Sequence, residues 1–176
     1  MDALFDAPDV PPEPPEPPEP PEPVLMSLNP EYYDLIWQGL KTHEFRRRFP
    51  RGRAVTWYVY LTAPASRLTA VIDLAPAVVD SPERIAAIAE QARPGNGASV
   101  HAYLGDLETG FALPIRGVRE YEGFTAGQLT SMLGAFHPPQ GYTLISRTPQ
   151  WADICAQLTA GPPLRQLTLP HPAPVG

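Results

Sequence analysis

Apolar positions in this chain fall into short stretches between Val24 and Leu158, and the spacing within each stretch predicts its element. Residues 24–28 (VLMSL) read as a strand. Asn29-Pro30-Glu31 then opens a helix: Asn29 caps it, Pro30 sits where no N–H donor is needed, and Glu31 faces the positive end of the dipole. Tyr32, Leu35, Ile36 and Leu40 recur with helical spacing, and Gly39 marks the stop. Residues 41–48 read as extended. Residues 54–61 (AVTWYVYL), rich in β-branched and aromatic side chains, form a strand, and residues 68–74 form another.

The second half continues the mixture. Ser81-Pro82-Glu83 starts a helix that Pro94-Gly95 ends near residue 93, and a shorter helix covers residues 99–104. Residues 110–118 make a strand in which Pro114 marks an edge or a bulge. Thr125-Ala126-Gly127-Gln128 is a capping box before a helix carrying Leu129, Met132 and Leu133. Residues 141–147 form a last strand, and Thr148-Pro149 caps a closing helix with Trp151, Ile154, Cys155 and Leu158 on one face. About five to six short strands with helices inserted between them make an α+β domain, and a small mixed barrel is one architecture the pattern allows without naming it.

Composition changes the picture at the two ends. Of 25 prolines, most lie outside the patterned region, which leaves a domain over residues 24–160, an arm over residues 1–23 and a flexible tail over residues 161–176. Residues 11–23 read PPEPPEPPEPPEP, and because polyproline II has three residues per turn, Glu13, Glu16, Glu19 and Glu22 line one edge of a stiff, solvated rod. The arm has no apolar surface to offset the entropy of ordering, so it is expected to be disordered. It reads as a spacer, since no basic residue flanks its prolines; the other reading is a ligand for a proline-recognising protein partner.

The arm also holds the charge. It contains seven of the 19 acidic residues and no lysine or arginine, so the formal charge of −6 belongs to it. The remainder balances 13 basic groups against 12 acidic ones, and a polyanionic partner is therefore compatible with the domain. Cys155 is the single cysteine, which excludes an intrachain disulfide, and it reads as a small buried apolar residue. The chain shows neither a basic-then-apolar leader nor a run of roughly 20 apolar residues, so no membrane partner and a cytoplasmic location are expected. His43, His101, His137 and His171 lack metal-ligand spacing, and neither a metal nor a cofactor is expected.

Candidate chemistry gathers at Gly39-Leu40-Lys41-Thr42-His43-Glu44-Phe45-Arg46. Arginine outnumbers lysine twelve to one, so the lone Lys41 stands out. Lysine offers a compact ammonium on a flexible stem, where arginine offers a planar fork. One reading makes Lys41 a site residue with Glu44; the other makes it an ordinary cation at the negative end of the preceding helix. A spacing of three places Lys41 and Glu44 on opposite faces of a regular strand, so they converge only if Lys41 lies in the turn after Gly39 or a bulge intervenes. Arg46, Arg47, Arg48, Arg51 and Arg53 follow without an interleaved acid and form a candidate cationic patch. Alternation in AVTWYVYL puts Tyr58 and Tyr60 on one face and Trp57 on the other; core packing is the plain reading for all three, Trp57 above all, and whichever face is left free offers aromatic rings for stacking.

The strand, the helix NPEYYDLIWQGL and the motif Gly39-x-Lys41-x-x-Glu44-Phe45-Arg46 resemble the ASCH family, whose fold is a PUA-like β-barrel. The strand ending at Tyr60 before Thr62-Ala63-Pro64-Ala65, and the segment Pro138-Pro139-Gln140-Gly141-Tyr142, resemble it too, so the likeness spans most of residues 24–154. It implies a binding module for RNA or a modified nucleotide in a cleft between barrel and first helix. Lys41, Glu44, Arg46, Arg48, Tyr58 and Tyr60 are its candidate nucleic-acid contacts. Some relatives are hydrolases, ribonucleases or amidohydrolases acting on acetylcytidine, which makes Lys41 and Glu44 the catalytic candidates under the alternative reading. In the amidohydrolases a threonine stands three residues after the lysine, where this chain has Glu44 and carries Thr42 next to Lys41 instead. That departure favours binding over nucleophilic catalysis.

Overall fold

The computed structural model describes residues 11–171. The first strand, β1 (Glu22–Leu28), lies parallel to β3 (Val55–Leu61), and the other pairings of the sheet are antiparallel. Helix α1 (Pro30–Trp37) and β2 (His43–Arg46) fill the connection between them. β4 (Arg67–Leu74), β5 (Val78–Asp80), α2 (Pro82–Ala92), α3 (Asn96–Leu104), β6 (Gly110–Thr125) and α4 (Ala126–Leu133) follow. The chain ends in β7 (Thr143–Leu144), a single 3-10 turn, α5 (Pro149–Leu158) and β8 (Arg165–Thr168). Eight strands make one mixed sheet in the order β2-β6-β4-β3-β1-β7, with β5 and β8 also paired to β6. The sheet curls into a half-barrel, and the fold is α+β.

Its concave side is packed with Val24, Met26, Trp57, Val59, Ile72, Leu74, Leu113 and Ile115, closed at one end by Tyr33 and Ile36 of α1. The Trp57 indole, fully buried, donates to the Met26 carbonyl at 3.0 Å, which satisfies its one polar group. On the convex side Leu25, Tyr60, Leu68, Val71 and Tyr121 receive α4 and α5 through Leu129, Ile154, Cys155 and Leu158. Burial pushes the Cys155 thiol up to about 12, so it stays a neutral apolar residue.

The expected caps at Asn29, Ser81 and Thr125 form, whereas Thr148 precedes α5 without a side-chain bond to its first turn. Asn29 accepts from the Glu31 amide at 2.8 Å, and Thr125 and Gln128 form a reciprocal capping box. Four further expectations need correction, the last of them at the N-terminal arm. The strand over residues 110–118 continues to Thr125, because bulges let β6 wrap the half-barrel while its charged outer positions read as polar. The strand over residues 141–147 shrinks to Thr143–Leu144 before the 3-10 turn. The expected flexible tail supplies β8, which pairs Gln166 with Arg119 and Leu167 with Val118 of β6.

Arg165 anchors that last strand. Its guanidinium sits 3.9 Å from the Trp37 ring centre and meets Glu120 at 3.0 and 3.2 Å, while the Tyr33 hydroxyl donates to the same carboxylate. The expected arm is also shorter: Glu22 and Pro23 already pair with Val55 and Thr56. Residues 11–21 carry no helix or strand, Met1–Val10 lie outside the described residues, and Arg53 holds the arm's end through Glu22 at 2.7 Å and the Pro20 carbonyl at 2.7 Å. Among the described residues, no helix is long and apolar enough to cross a membrane.

Candidate functional site

α1 stops at Trp37, and Gly39 takes φ 76°, a left-handed value that glycine accepts without strain. The backbone then turns back, with the Leu40 and Lys41 amides both donating to the Leu35 carbonyl at 2.9 and 3.0 Å. Lys41 thus stands in the turn, two residues before β2 begins. Glu44 and Arg46 are two apart in the strand and share a face. Turn and strand together bring all three side chains into one cleft of about 400 Å³.

The Lys41 ammonium is 3.0 Å from Glu44 Oε2 and donates to the His43 carbonyl at 2.8 Å. It lies 5.6 Å from the Tyr32 ring centre and 6.0 Å from that of Phe45. Arg46 Nε is 3.1 Å from Glu44 Oε1, and its guanidinium lies 5.9 Å from the Trp57 ring centre. Glu44, only 7% exposed, therefore serves two cations. Both contacts are ion pairs by distance, yet Glu44 Oε2 and Arg46 Nε lack a partner along a hydrogen-bonding direction. The pairing is Coulombic and leaves directional capacity unused.

The opposite wall comes from α2 and α3. Arg93, Asn96, Ser99 and Tyr103 line it, with Arg93 donating to Asn96 at 3.1 Å. Tyr32 and Tyr103 are 49% and 47% exposed, unusual for large aromatic side chains, and both border this cleft. Among the described residues, Lys41, Arg46 and Arg93 stand against Glu44 alone, so the lining carries an excess of positive charge. Its stacking surfaces, amide groups and cations match a small planar anion.

Other candidates lie elsewhere. Tyr60 is buried against Phe136, and Tyr58 packs in the same convex cluster under α5. Neither lines the cleft, because the face of β3 opposite Trp57 is covered by α4 and α5. Arg48 is exposed at a separate hollow of about 290 Å³ with Arg47, Arg51 and Tyr142. The run of five arginines is therefore divided: Arg46 turns into the cleft, Arg53 holds the arm, and Arg51 covers Phe111. The aromatics that the residue pattern missed are Tyr32 and Tyr103. For Tyr32 the spacing fits either of two helix stripes, and the buried one is Tyr33 and Ile36. Tyr103 was detectable as an aromatic off the Val100–Leu104 stripe of α3.

His43 closes the floor. Its Nδ1 shares a hydrogen bond with Thr42 Oγ1 at 2.8 Å, and its ring meets His171 edge-on at 5.2 Å. Burial, with the positive potentials of His171 and Lys41, lowers its pKa from 6.5 to about 4. The unfolded chain takes up a proton on this imidazole near pH 6.5, whereas the folded chain resists until about pH 4. Stability is therefore expected to fall as pH drops through that window, with no contribution above it. Urea midpoints measured against pH for the wild type and His43→Gln test this: the variant should show the shallower decline.

No protein-family model matches the chain, and no curated protein matches it. Solved structures do. The crystal structure of ASCH from Zymomonas mobilis covers 78% of this chain and 95% of its own, at 23% identity and TM-score 0.64. A variant of that protein with a tyrosine changed to phenylalanine covers 78% and 98%, at 22% identity and TM-score 0.66. A variant with a serine changed to alanine covers 78% and 96%, at 23% identity and TM-score 0.65. The chain therefore has the fold of that ASCH protein. Among the described residues, no three His, Cys, Asp or Glu side chains gather as metal ligands.

Proposed function

We propose that the Lys41 cleft binds a nucleotide, either a modified nucleoside phosphate or the end of a single-stranded RNA. The observation that carries this reading is the placement of the lone lysine: its ammonium is held by Glu44 and the His43 carbonyl beneath the exposed ring of Tyr32. Lys41 and Arg46 supply charge for a phosphate, Tyr32 and Tyr103 supply faces for a base, and Asn29 and Asn96 supply edges for its hydrogen bonds. Binding of a labelled oligoribonucleotide and of nucleoside monophosphates, followed by fluorescence polarisation across salt concentrations, tests it. Lys41→Ala is expected to weaken binding by about 10- to 100-fold, the loss of one strong charge-assisted contact. Lys41→Arg should recover little, because a planar guanidinium does not fit the space between Glu44 and Tyr32 that a compact ammonium fills. A silent Lys41→Arg, or no binding at low salt, would sink the assignment.

Hydrolysis is a second reading, and one contact favours it: the Thr42 hydroxyl lies on the His43 imidazole. That imidazole is neutral above about pH 4, so it is free to accept a proton, but its weak basicity limits the rate it lends. Assaying the same samples for acetate released from acetylcytidine, and for cleaved RNA, separates the readings. Substrate left intact by the wild type would eliminate this one.

A further inference from the structure

A second groove opens on the other side of the Thr42–His43 segment, with a volume of about 930 Å³. Its walls are apolar, formed by Pro76, Val78, Ile88, Pro114, Leu169 and Pro170, and Val78 stays 41% exposed. The size suits a small ligand with a hydrocarbon or aromatic body. Among the described residues, no aspartate or glutamate lines it.

The polar groups there are mostly engaged with the protein. Thr42 and His43 bond to each other, and His171 Nε2 lies 2.6 Å from the Ile115 carbonyl, to which it donates. Arg116 differs. Asp73 and Leu74 of β4 pair with Gly117 and Ile115 of β6, which leaves Arg116 as the extra residue of a bulge. Bulges re-aim side chains, and this one sets an arginine in the wall of the groove while the Leu169 amide holds its carbonyl at 2.8 Å. Among the described residues Arg116 is exposed and meets no carboxylate, which leaves its guanidinium open to an incoming anion.

We infer that this groove is a second binding site, for a small amphipathic monoanion. Its apolar body lies along Val78, Ile88 and Pro170, and its anionic head, a carboxylate or a phosphate, meets Arg116 with Gln91 as the further side-chain donor. One cation, apolar walls and no opposing acid specify that chemistry. The site does not depend on what the Lys41 cleft holds.

Titration calorimetry of the full chain with decanoate, monodecyl phosphate and decan-1-ol, below their aggregation limits, tests it. One saturable site per chain is expected for either anion, with decanol about tenfold weaker for want of the charged contact. Arg116→Gln should bring the anions down to the level of decanol and leave decanol unchanged. Val78→Glu, at an exposed strand position, should remove all three, and Lys41→Ala should change none. Failure of both anions to bind the wild type overturns the proposal, as does equal binding to Arg116→Gln. A dimer in sedimentation that Val78→Glu dissociates would give the groove to a second copy of the chain and overturn it too.

Discussion

Gly123→Ala is expected to leave little folded protein. Gly123 has φ 70°, and a Cβ there would overlap the Leu68 carbonyl oxygen and approach the Leu68 carbonyl carbon and Thr69 Cα to 2.9 Å. These are backbone atoms of a central strand, so nothing flexible can yield. The glycine sits where β6 carries surplus residues: Leu68 and Ala70, two apart in β4, face Phe124 and Glu120, four apart in β6. The Thr69 hydroxyl and the Arg67 guanidinium satisfy the Tyr121 and Glu122 carbonyls that the bulge frees from the ladder. A side chain would have to push the two strands apart, at a cost on the order of 4 kcal/mol or more, a large share of a domain's net stability. Gly127→Ala is the control. It lies in α4 with only Thr125 Oγ1 near, at 3.9 Å, and should gain up to about 1 kcal/mol from helix propensity. Urea unfolding of the two variants decides: equal midpoints would mean that the bulge relaxes at little cost.

The strand that depends on Gly123 also shows what the residues disclosed and what they did not. Caps were legible because their information is local: Asn29 and Thr125 each bond to an amide within three residues. The alternation of β3 assigned Trp57 to one face and Tyr58 with Tyr60 to the other. It could not say which face would be left free, because that depends on α4 and α5, whose own sequences do not name their docking partner. β8 was illegible for a similar reason. Arg165–Thr168 has a single apolar residue, Leu167, and is held by the open edge of β6 and by Arg165 on Trp37 and Glu120. The meeting of Lys41 with Glu44 was legible as a condition, namely that Lys41 lie in the turn after Gly39. Tyr103 joins them only through the packing of α2 on α3, where Gly97 lets the two helices approach so closely that a Cβ would sit 2.9 Å from the Ala86 carbonyl.

Glu44→Ala should be the most disruptive change within the cleft itself. Among the described residues the carboxylate is the one acid there, and Lys41 and Arg46 lean on it from either side with side chains only 15% and 19% exposed. Removing it leaves two poorly solvated cations facing each other. Uncompensated charge of this kind costs roughly 2–4 kcal/mol, toward the lower side of the range for fully buried pairs because both cations retain some solvent. A double-mutant cycle makes the prediction specific. Lys41→Ala alone frees Glu44 only in part, since Arg46 still pairs with it, so it should cost less than Glu44→Ala. The double variant should be less destabilised than the sum of the two, by about 1 kcal/mol or more, because the second change removes a charge that the first has stranded. Added salt or a bound polyphosphate should restore part of the loss in Glu44→Ala, whereas the wild type should respond to salt far less. Additive single effects would show that Lys41 and Glu44 are near each other without being coupled, and would leave the ammonium without the anchor on which its role in the cleft depends.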